Sequence, residues 1–382
     1  MKTIIRNLLG VVRRFKVATL LNVLGLSVAF AAFIILMIQL QYDWGFDRYQ
    51  KNAERIFRVG LYTPDWGNQV IVSPPFANAF IQSSPHIEKG ALLFSSGSRL
   101  TLKAETGKND DVGFWCMVNA MTPEYATIFD FRMLEGNVES INNPGTVLIP
   151  MSYAQKIFGN DQAVGKILKD NNLSFTVGGV YKDFPANSVI QNAVYWRING
   201  KVDQDNWNAN GYQLYVLLDN PDKKDEIIAN FKEHLNRQEY DWKTRDVRLT
   251  RLTDIYYEAD SQFDSLKDKG NRTLVLVLFT VAILILFIAG INFTNFSNAL
   301  VPIRVRSINT KILGGSDKVL RCAMLVEAVL ICLVSFIISL FIVRGMGNTW
   351  LADMISGDMS LASNIPLLAL TGILAITVGV LA

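Results

Sequence analysis

The stretch Gly159 to Lys166 is the part of the chain that most resembles a chemical site, because it reads Gly-Asn-Asp-Gln-Ala-Val-Gly-Lys. A phosphate-binding loop has four residues between its two glycines, followed by a lysine and by a serine or threonine that holds magnesium. Here five residues separate the glycines, and Ile167 stands where the hydroxyl residue belongs. We therefore predict no nucleotide site.

Other reactive side chains are few. The histidines, His86 and His234, have no neighbouring ligand pattern, and of the three cysteines only Cys116 lies outside the apolar runs described below. No serine, cysteine or carboxylate falls in a recognisable triad signature. The sequence predicts no catalytic, cofactor-binding or metal residues, and the chain is not expected to be an enzyme.

The apolar residues are concentrated in blocks, although half of the 382 residues are hydrophobic and only 19% are charged. Val17 to Leu40 is 24 residues without a charge. As a helix it is about 36 Å long, enough to cross a hydrocarbon core of about 30 Å. We predict transmembrane helix 1 at residues 17–40.

A cleavable signal peptide is the alternative for this run, because basic residues precede it and Ala29-Phe30-Ala31 matches a cleavage site. The membrane anchor is favoured, because the run is longer than a signal needs and cleavage after Ala31 would expose Phe33 to Ile38.

Three further spans are predicted after a long polar stretch. They cover residues 274–293, 322–343 and 365–382. The last run is still apolar at Ala382, and we therefore expect the given chain to be the N-terminal part of a longer protein, with its fourth span cut short.

Orientation follows from the basic residues beside the spans. Residues 1–16 hold five lysines and arginines, and residues 294–321 hold Arg304, Arg306, Lys311, Lys318 and Arg321. Both segments are expected to be cytoplasmic by the positive-inside rule, which places residues 41–271 and 344–364 outside.

Residues 41–271 read as ordinary globular sequence in which strands and helices alternate. Their length favours two subdomains within one α+β domain. Strands are predicted at Arg55–Tyr62, Trp115–Ala120, Val147–Ile149, Phe175–Val180, Tyr212–Leu218 and Val247–Tyr257, and helices after Pro74, after Thr122, at Ser152–Phe158 and after Asn220. The fold class is thus an α-helical membrane protein with a large α+β extracytoplasmic domain: one span, the domain, then about three spans.

Several short segments in this order resemble the FtsX-like/MacB-like family of ABC transporter permeases with a MacB-type periplasmic core domain. They are Arg6-Asn7-Leu8-Leu9 and Leu21 to Ser27, Asp47-Arg48-Tyr49, Ile56 to Val59, Phe129-Asp130-Phe131, Leu134-Glu135-Gly136, Ala154 to Gly159, Val164-Gly165-Lys166, Gly179 to Ser188, and Leu252 to Tyr256. The resemblance implies a permease that couples a separate cytoplasmic ABC ATPase to movements of the outside domain, for export or mechanotransmission. It also implies a dimer of permeases or permease halves, a periplasmic partner, contact with membrane lipid but not nucleic acid, and a multi-pass location in the bacterial inner membrane.

The cytoplasmic segment resembles the family's ATPase-coupling region, although it lacks the usual acidic residue and aligns only with a one-residue gap. The residues implied are Arg304, Arg306, Lys311, Ile312, Leu313, Gly314 and Gly315. Glu327, inside the third span, matches a frequent acidic position; it is either a carboxylate near the cytoplasmic boundary or part of signal coupling. A sensor or regulator of the same architecture, which controls an envelope hydrolase or detects peptides, is the alternative function. The sequence does not identify the substrate.

Overall fold

The computed structural model describes residues 16–94, 97–104, 113–170, 173–235, 245–266, 268–300 and 317–382. The chain forms two compact units. One contains the residues up to Trp44 and from Arg272 onward, and the other is Gly45–Asn271.

The helices and strands are numbered in chain order. The α-helices are α1 Lys16–Trp44, α2 Pro74–Gln82, α3 Pro123–Ile128, α4 Met151–Phe158, α5 Lys224–His234, α6 Leu252–Ile255, α7 Arg272–Leu300, α8 Asp317–Met346 and α9 Ile365–Leu381. The strands are β1 Ile56–Thr63, β2 Gly67–Gln69, β3 Ile87–Phe94, β4 Ser98–Ala104, β5 Gly113–Met121, β6 Met133–Gly136, β7 Thr146–Pro150, β8 Ile167–Lys169, β9 Ser174–Tyr181, β10 Val194–Arg197, β11 Tyr212–Leu218, β12 Asp246–Arg251 and β13 Ser261–Gln262.

The first unit is helical. Within the described residues three helices, α1, α7 and α8, are long and apolar enough to cross a membrane, and α9 is a shorter apolar helix of 17 residues. This order confirms the predicted fold class of one span, a domain, and then further spans. The individual domain bounds given above stay predictions.

Within this unit, α1 packs against α7 and α8, and α9 packs against α8. Phe30 of α1 is fully buried in a cluster with Phe293, Cys332 and Ala375. Gly379 of α9 lies so close to α8 that an added Cβ would be 2.7 Å from the Cα of Val329. A glycine at this position lets the two helix backbones approach, as small residues do in membrane helices.

The second unit is an α+β domain built on one sheet. Within the described residues the strand order is β10-β7-β9-β8-β4-β5-β3-β11-β1-β2-β13, with β12 beside β1 and β6 beside β9. Its buried apolar side chains form two clusters. One is centred on β1, β3, β11, α2 and α5, and the other on β4, β5, β7, β9 and α4. The predicted division into two subdomains stays a prediction, because one sheet carries both clusters.

Most predicted elements of the domain are confirmed within a residue or two, β11 at both ends. The predicted strand Val247–Tyr257 is wrong in its second half, where the chain turns into the short helix α6. Thr122 does precede α3 as predicted, but its hydroxyl does not cap the helix. It accepts a hydrogen bond from the backbone N–H of Leu92 instead, at 3.0 Å.

Gly159 and Gly136 both have a positive φ in the structure. Gly159 ends α4 with a positive φ of 66°, a backbone conformation that glycine adopts at little cost. The ammonium of Lys166 pairs with Asp161 at 3.2 Å. This stretch therefore ends a helix and carries a surface ion pair. At Gly136, φ is 69° and an added Cβ would be 2.3 Å from the carbonyl oxygen of Gly178.

Candidate functional site

The predicted ATPase-coupling residues lie outside the described residues. They are Arg304, Arg306, Lys311, Ile312, Leu313, Gly314 and Gly315. Their role stays a prediction.

Glu327 lies on α8 with its side chain buried at 7% exposure. It is followed one turn later by Ile331, which belongs to the cluster around Phe30. The carboxylate is therefore inside the helical unit, where a charged group is costly and usually has a functional or structural partner. Its part in coupling stays a prediction.

Two of the segments that carried the family resemblance meet at Asp47, three residues after the end of α1. The Asp47 carboxylate accepts a hydrogen bond from the Ser188 hydroxyl at 2.6 Å and from the Val189 N–H at 3.0 Å. The Asp47 N–H donates to the Asn187 carbonyl oxygen at 2.9 Å, and the hydroxyls of Tyr49 and Ser188 are 2.9 Å apart. We call this set of contacts the Asp47 clasp.

The clasp holds a carboxyl group that is completely buried. Burial raises the pKa of Asp47 from 3.8 to about 7, and the hydrogen bonds from Ser188 and Val189 only partly oppose this. The Asp47 backbone is also in the left-handed region, with φ of 56°. Such a conformation is more tolerable for aspartate than for most residues, and here it is held by the contacts of the carboxylate.

The two ends of the domain are joined by an aromatic stack. The ring of Phe46 lies 4.0 Å from that of Tyr256 and nearly parallel to it, at 7°. Gly270 covers the edge of the Tyr256 ring, where an added Cβ would be only 2.2 Å from Cε1. Phe46, two residues after α1, and Gly270, two residues before α7, therefore contact the same tyrosine.

A buried ionic cluster fixes the segment that leads to α7. The Arg58 side chain on β1 is 1% exposed, and its guanidinium donates to Glu258 at 2.6 Å and to Asp264 at 2.8 Å. The Lys269 ammonium contacts the same Asp264 oxygen at 2.5 Å. We call these four residues the Arg58 cluster.

The carboxylates of the cluster have further hydrogen bonds. Glu258 accepts from the Asn68 amide at 2.8 Å and from the Thr250 hydroxyl at 2.6 Å. Asp264 accepts from the Ser261 hydroxyl and from the Leu266 N–H, each at 3.0 Å. A buried charge is tolerated when it is paired and hydrogen-bonded in this way.

The pKa shifts agree with this account. Burial disfavours the ionised form of Asp264, but the charges of Arg58 and Lys269 outweigh it and lower the pKa of Asp264 below its usual value. Burial lowers the pKa of Lys269, and its bond to Asp264 opposes the shift. Pairing with Arg58 and Lys269 therefore favours the ionised form of Asp264.

Both networks hold segments of the domain together. Among the described residues no group of three His, Cys, Asp or Glu side chains could hold a metal ion. The Arg58 cluster ties residues 258–269, which run to α7, to the central strand β1, and the Asp47 clasp ties the residues after α1 to residues 187–189.

In the sequence, Arg58 belongs to one of the segments that carry the family resemblance. Its signal was a lone charge inside the apolar strand Ile56–Leu61. Glu258 and Asp264 gave no such signal, because they lie about 200 residues away in loop sequence.

In sequence order, helices apolar and long enough to cross a membrane precede and follow one α+β domain, and the first and last segments of that domain are both tied to its core. The MacB-like periplasmic core domain family matches residues 19–234, more than half of the chain, and the chain belongs to this family. It is therefore a membrane protein of the ABC-transporter permease type with a periplasmic domain.

Several solved structures are similar to part of the chain. A domain described as part of a permease protein from Porphyromonas gingivalis is 22% identical, with a TM-score of 0.45, and the match covers 53% of this chain and 91% of that one. The periplasmic region of MacB from Actinobacillus actinomycetemcomitans is 13% identical, with a TM-score of 0.38, and the match covers 52% of this chain and 89% of that one. The extracellular domain of the noncanonic ABC-type transporter YknZ from Gram-positive bacteria is 12% identical, with a TM-score of 0.36, and the match covers 50% of this chain and 99% of that one. A comparison with curated proteins gave no match.

Proposed function

We propose that the chain is the permease subunit of an ABC transporter that couples ATP hydrolysis by a separate cytoplasmic ATPase to movements of the periplasmic domain, in export or mechanotransmission. Family membership supports the class of protein. The observation that carries the coupling proposal is the Arg58 cluster, because a rigid buried connection between β1 and the residues before α7 suits the passage of force. The protein would work as a dimer of permeases or permease halves in the bacterial inner membrane.

A sensor or regulator of the same architecture is the second candidate, since it would need the same connection between domain and helices. The two differ in what ATP hydrolysis does. A transporter moves substrate across or out of the membrane in reconstituted vesicles with its ATPase, whereas a regulator changes the activity of an envelope hydrolase or of a signalling partner without net movement of substrate.

The docking of the ATPase is tested at Ile312 and Leu313. If this apolar pair is a buried anchor in an ATPase groove, replacing both residues by aspartate costs on the order of several kcal/mol of docking. The double substitution leaves Arg304, Arg306 and Lys311 in place, so it does not remove the positive-inside signal. Co-purification of the neighbouring ATPase and its stimulated ATPase activity are measured. Full retention of both in a correctly inserted aspartate variant would show that the coupling assignment is wrong.

Orientation is tested by cysteine accessibility in intact cells, in a variant whose own three cysteines are replaced by alanine. We expect a cysteine at Asn206 to react with an impermeant reagent before lysis and one at Ser307 to react only afterwards. The reverse pattern would overturn the proposed orientation.

A further inference from the structure

A cleft of about 650 Å³ opens on the periplasmic domain between α2, β3, α3 and the 3₁₀ turn at Val138–Asn142. Its apolar lining includes Ile81, Leu92 and Ile141, of which the last two are buried. Gly90 on β3 makes room for this floor, because an added Cβ would be 2.3 Å from the Ile81 side chain. The volume is within the range of about 300–1,000 Å³ that is common for ligand sites.

The rim of the cleft is mainly acidic. Glu88, Glu124 and Glu139 line it together with a single cation, Lys89. Glu88 is already paired with Arg55. Within the described residues Glu124 and Glu139 are exposed and have no ion-pair partner. An apolar floor between free carboxylates is complementary to a ligand with an apolar side chain flanked by positive charges.

From this combination we propose that the cleft binds a short peptide in which basic and apolar residues alternate. An apolar side chain covers Ile81 and Leu92, and neighbouring lysines or arginines face Glu124 and Glu139. A cleft of this volume accommodates the side chains of only a few residues, which favours a short peptide over the broad surface of a folded protein. The proposal does not depend on the ATPase, and binding is measured in its absence.

The test uses the full chain in a zwitterionic lipid nanodisc and three fluorescent heptapeptides, of alternating lysine and leucine, glutamate and leucine, and lysine and serine. We expect only the lysine–leucine peptide to bind tightly, with an affinity that falls as salt is added, because surface charges are screened. Equal binding of the glutamate–leucine peptide would overturn the charge argument, and equal binding of the lysine–serine peptide would overturn the role of the floor.

Variants separate the cleft from general attraction to lipid or protein. Glu124→Gln with Glu139→Gln removes two surface ion pairs and should weaken binding of the lysine–leucine peptide about 3- to 30-fold. The control, Asp225→Asn with Glu233→Gln, removes two exposed carboxylates from α5 and should leave the affinity unchanged. Glu124→Lys with Glu139→Lys should shift the preference to the glutamate–leucine peptide. Binding that survives the first pair of substitutions would place the peptide elsewhere and sink the proposal.

Discussion

Replacing Arg58 by methionine tests whether the ionic cluster supports the periplasmic domain. Methionine has a similar unbranched stem but no charge, so the substitution leaves Glu258 and Asp264 without their guanidinium partner. The two carboxylate side chains are only 12% and 5% exposed. Breaking a buried ion pair from one side costs about 3–5 kcal/mol. Because Lys269 still contacts Asp264, we expect a loss near the lower end, about 3 kcal/mol.

The loss should depend on pH in a defined direction. Asp264 has a lowered pKa in the folded chain, so its contribution to stability is present above its unfolded pKa of 3.8 and is lost as the pH falls through the folded value. Without Arg58 the ionised form of Asp264 loses part of its stabilisation, so Asp264 contributes less to the stability of the variant at neutral pH than to that of the wild type. The difference in stability between Arg58→Met and wild type should therefore shrink as the pH falls below 3.8 and through the folded pKa of Asp264.

Urea unfolding of the full chain in detergent, followed by tryptophan fluorescence, measures both effects. A second variant, Arg58→Met with Glu258→Gln, removes the stranded charge while Asp264 keeps Lys269. It should recover about 1–2 kcal/mol of the loss, since a neutral amide is less costly to bury than an unpaired carboxylate. A loss below about 1 kcal/mol at pH 7, or a double variant no more stable than the single one, would refute this account.

Two further predictions concern the Asp47 clasp and the helical unit. Burial raises the pKa of Asp47 from 3.8 to about 7, so this group makes the wild type lose stability as the pH rises between those values, by at most about 1.4 kcal/mol per pH unit. Asp47→Asn should reduce this pH dependence of the unfolding free energy, measured by urea unfolding from pH 4 to pH 8. An unchanged pH dependence would contradict the assignment. Gly379→Ala should lower the stability by about 1–3 kcal/mol, because the added methyl group forces α9 away from Val329. In the control Gly345→Ala the methyl group meets nothing within 4 Å, so thermal unfolding in detergent should be nearly unchanged. Similar unfolding midpoints for the two variants would count against the close approach of the helices.

The sequence predicted the elements of this fold well where local physics decides them. Alternation from Arg55 to Tyr62 predicted β1. The Asn220-Pro221 pair marked the start of the turn into α5, where the Asn220 side chain accepts a hydrogen bond from the Asp222 N–H at 2.9 Å. Thr122 shows the limit of such reasoning. Its hydroxyl could cap α3 or serve a neighbouring strand, and only the position of β3 decides between them.

The partners of Arg58 could not be predicted from the sequence. A lone arginine in an apolar strand indicates that some partner exists, because an unpaired buried charge is too costly. It does not indicate which acidic residue is the partner. Since Glu258 and Asp264 are joined to Arg58 only by the tertiary path of the chain, their role follows from topology and not from any local pattern.

Residues from several of the segments that carry the family resemblance contact one another inside the domain. Asp47 binds Ser188, and the ring of Phe131 lies 4.9 Å from the rings of both Tyr181 and Phe184. All five residues lie in those segments, so the resemblance describes the core of the domain and the connection after α1.

The acidic residues on the rim of the proposed peptide cleft lie outside the segments that carry the family resemblance. Glu124 and Glu139 lie on the rim and belong to none of the resembling segments. Their exposed carboxylates take no part in either buried network, so exchanging them should leave folding intact. The fold can thus keep both buried networks while the chemistry of the cleft changes. Ligand preference should therefore follow the rim residues, as the charge-reversal variant tests.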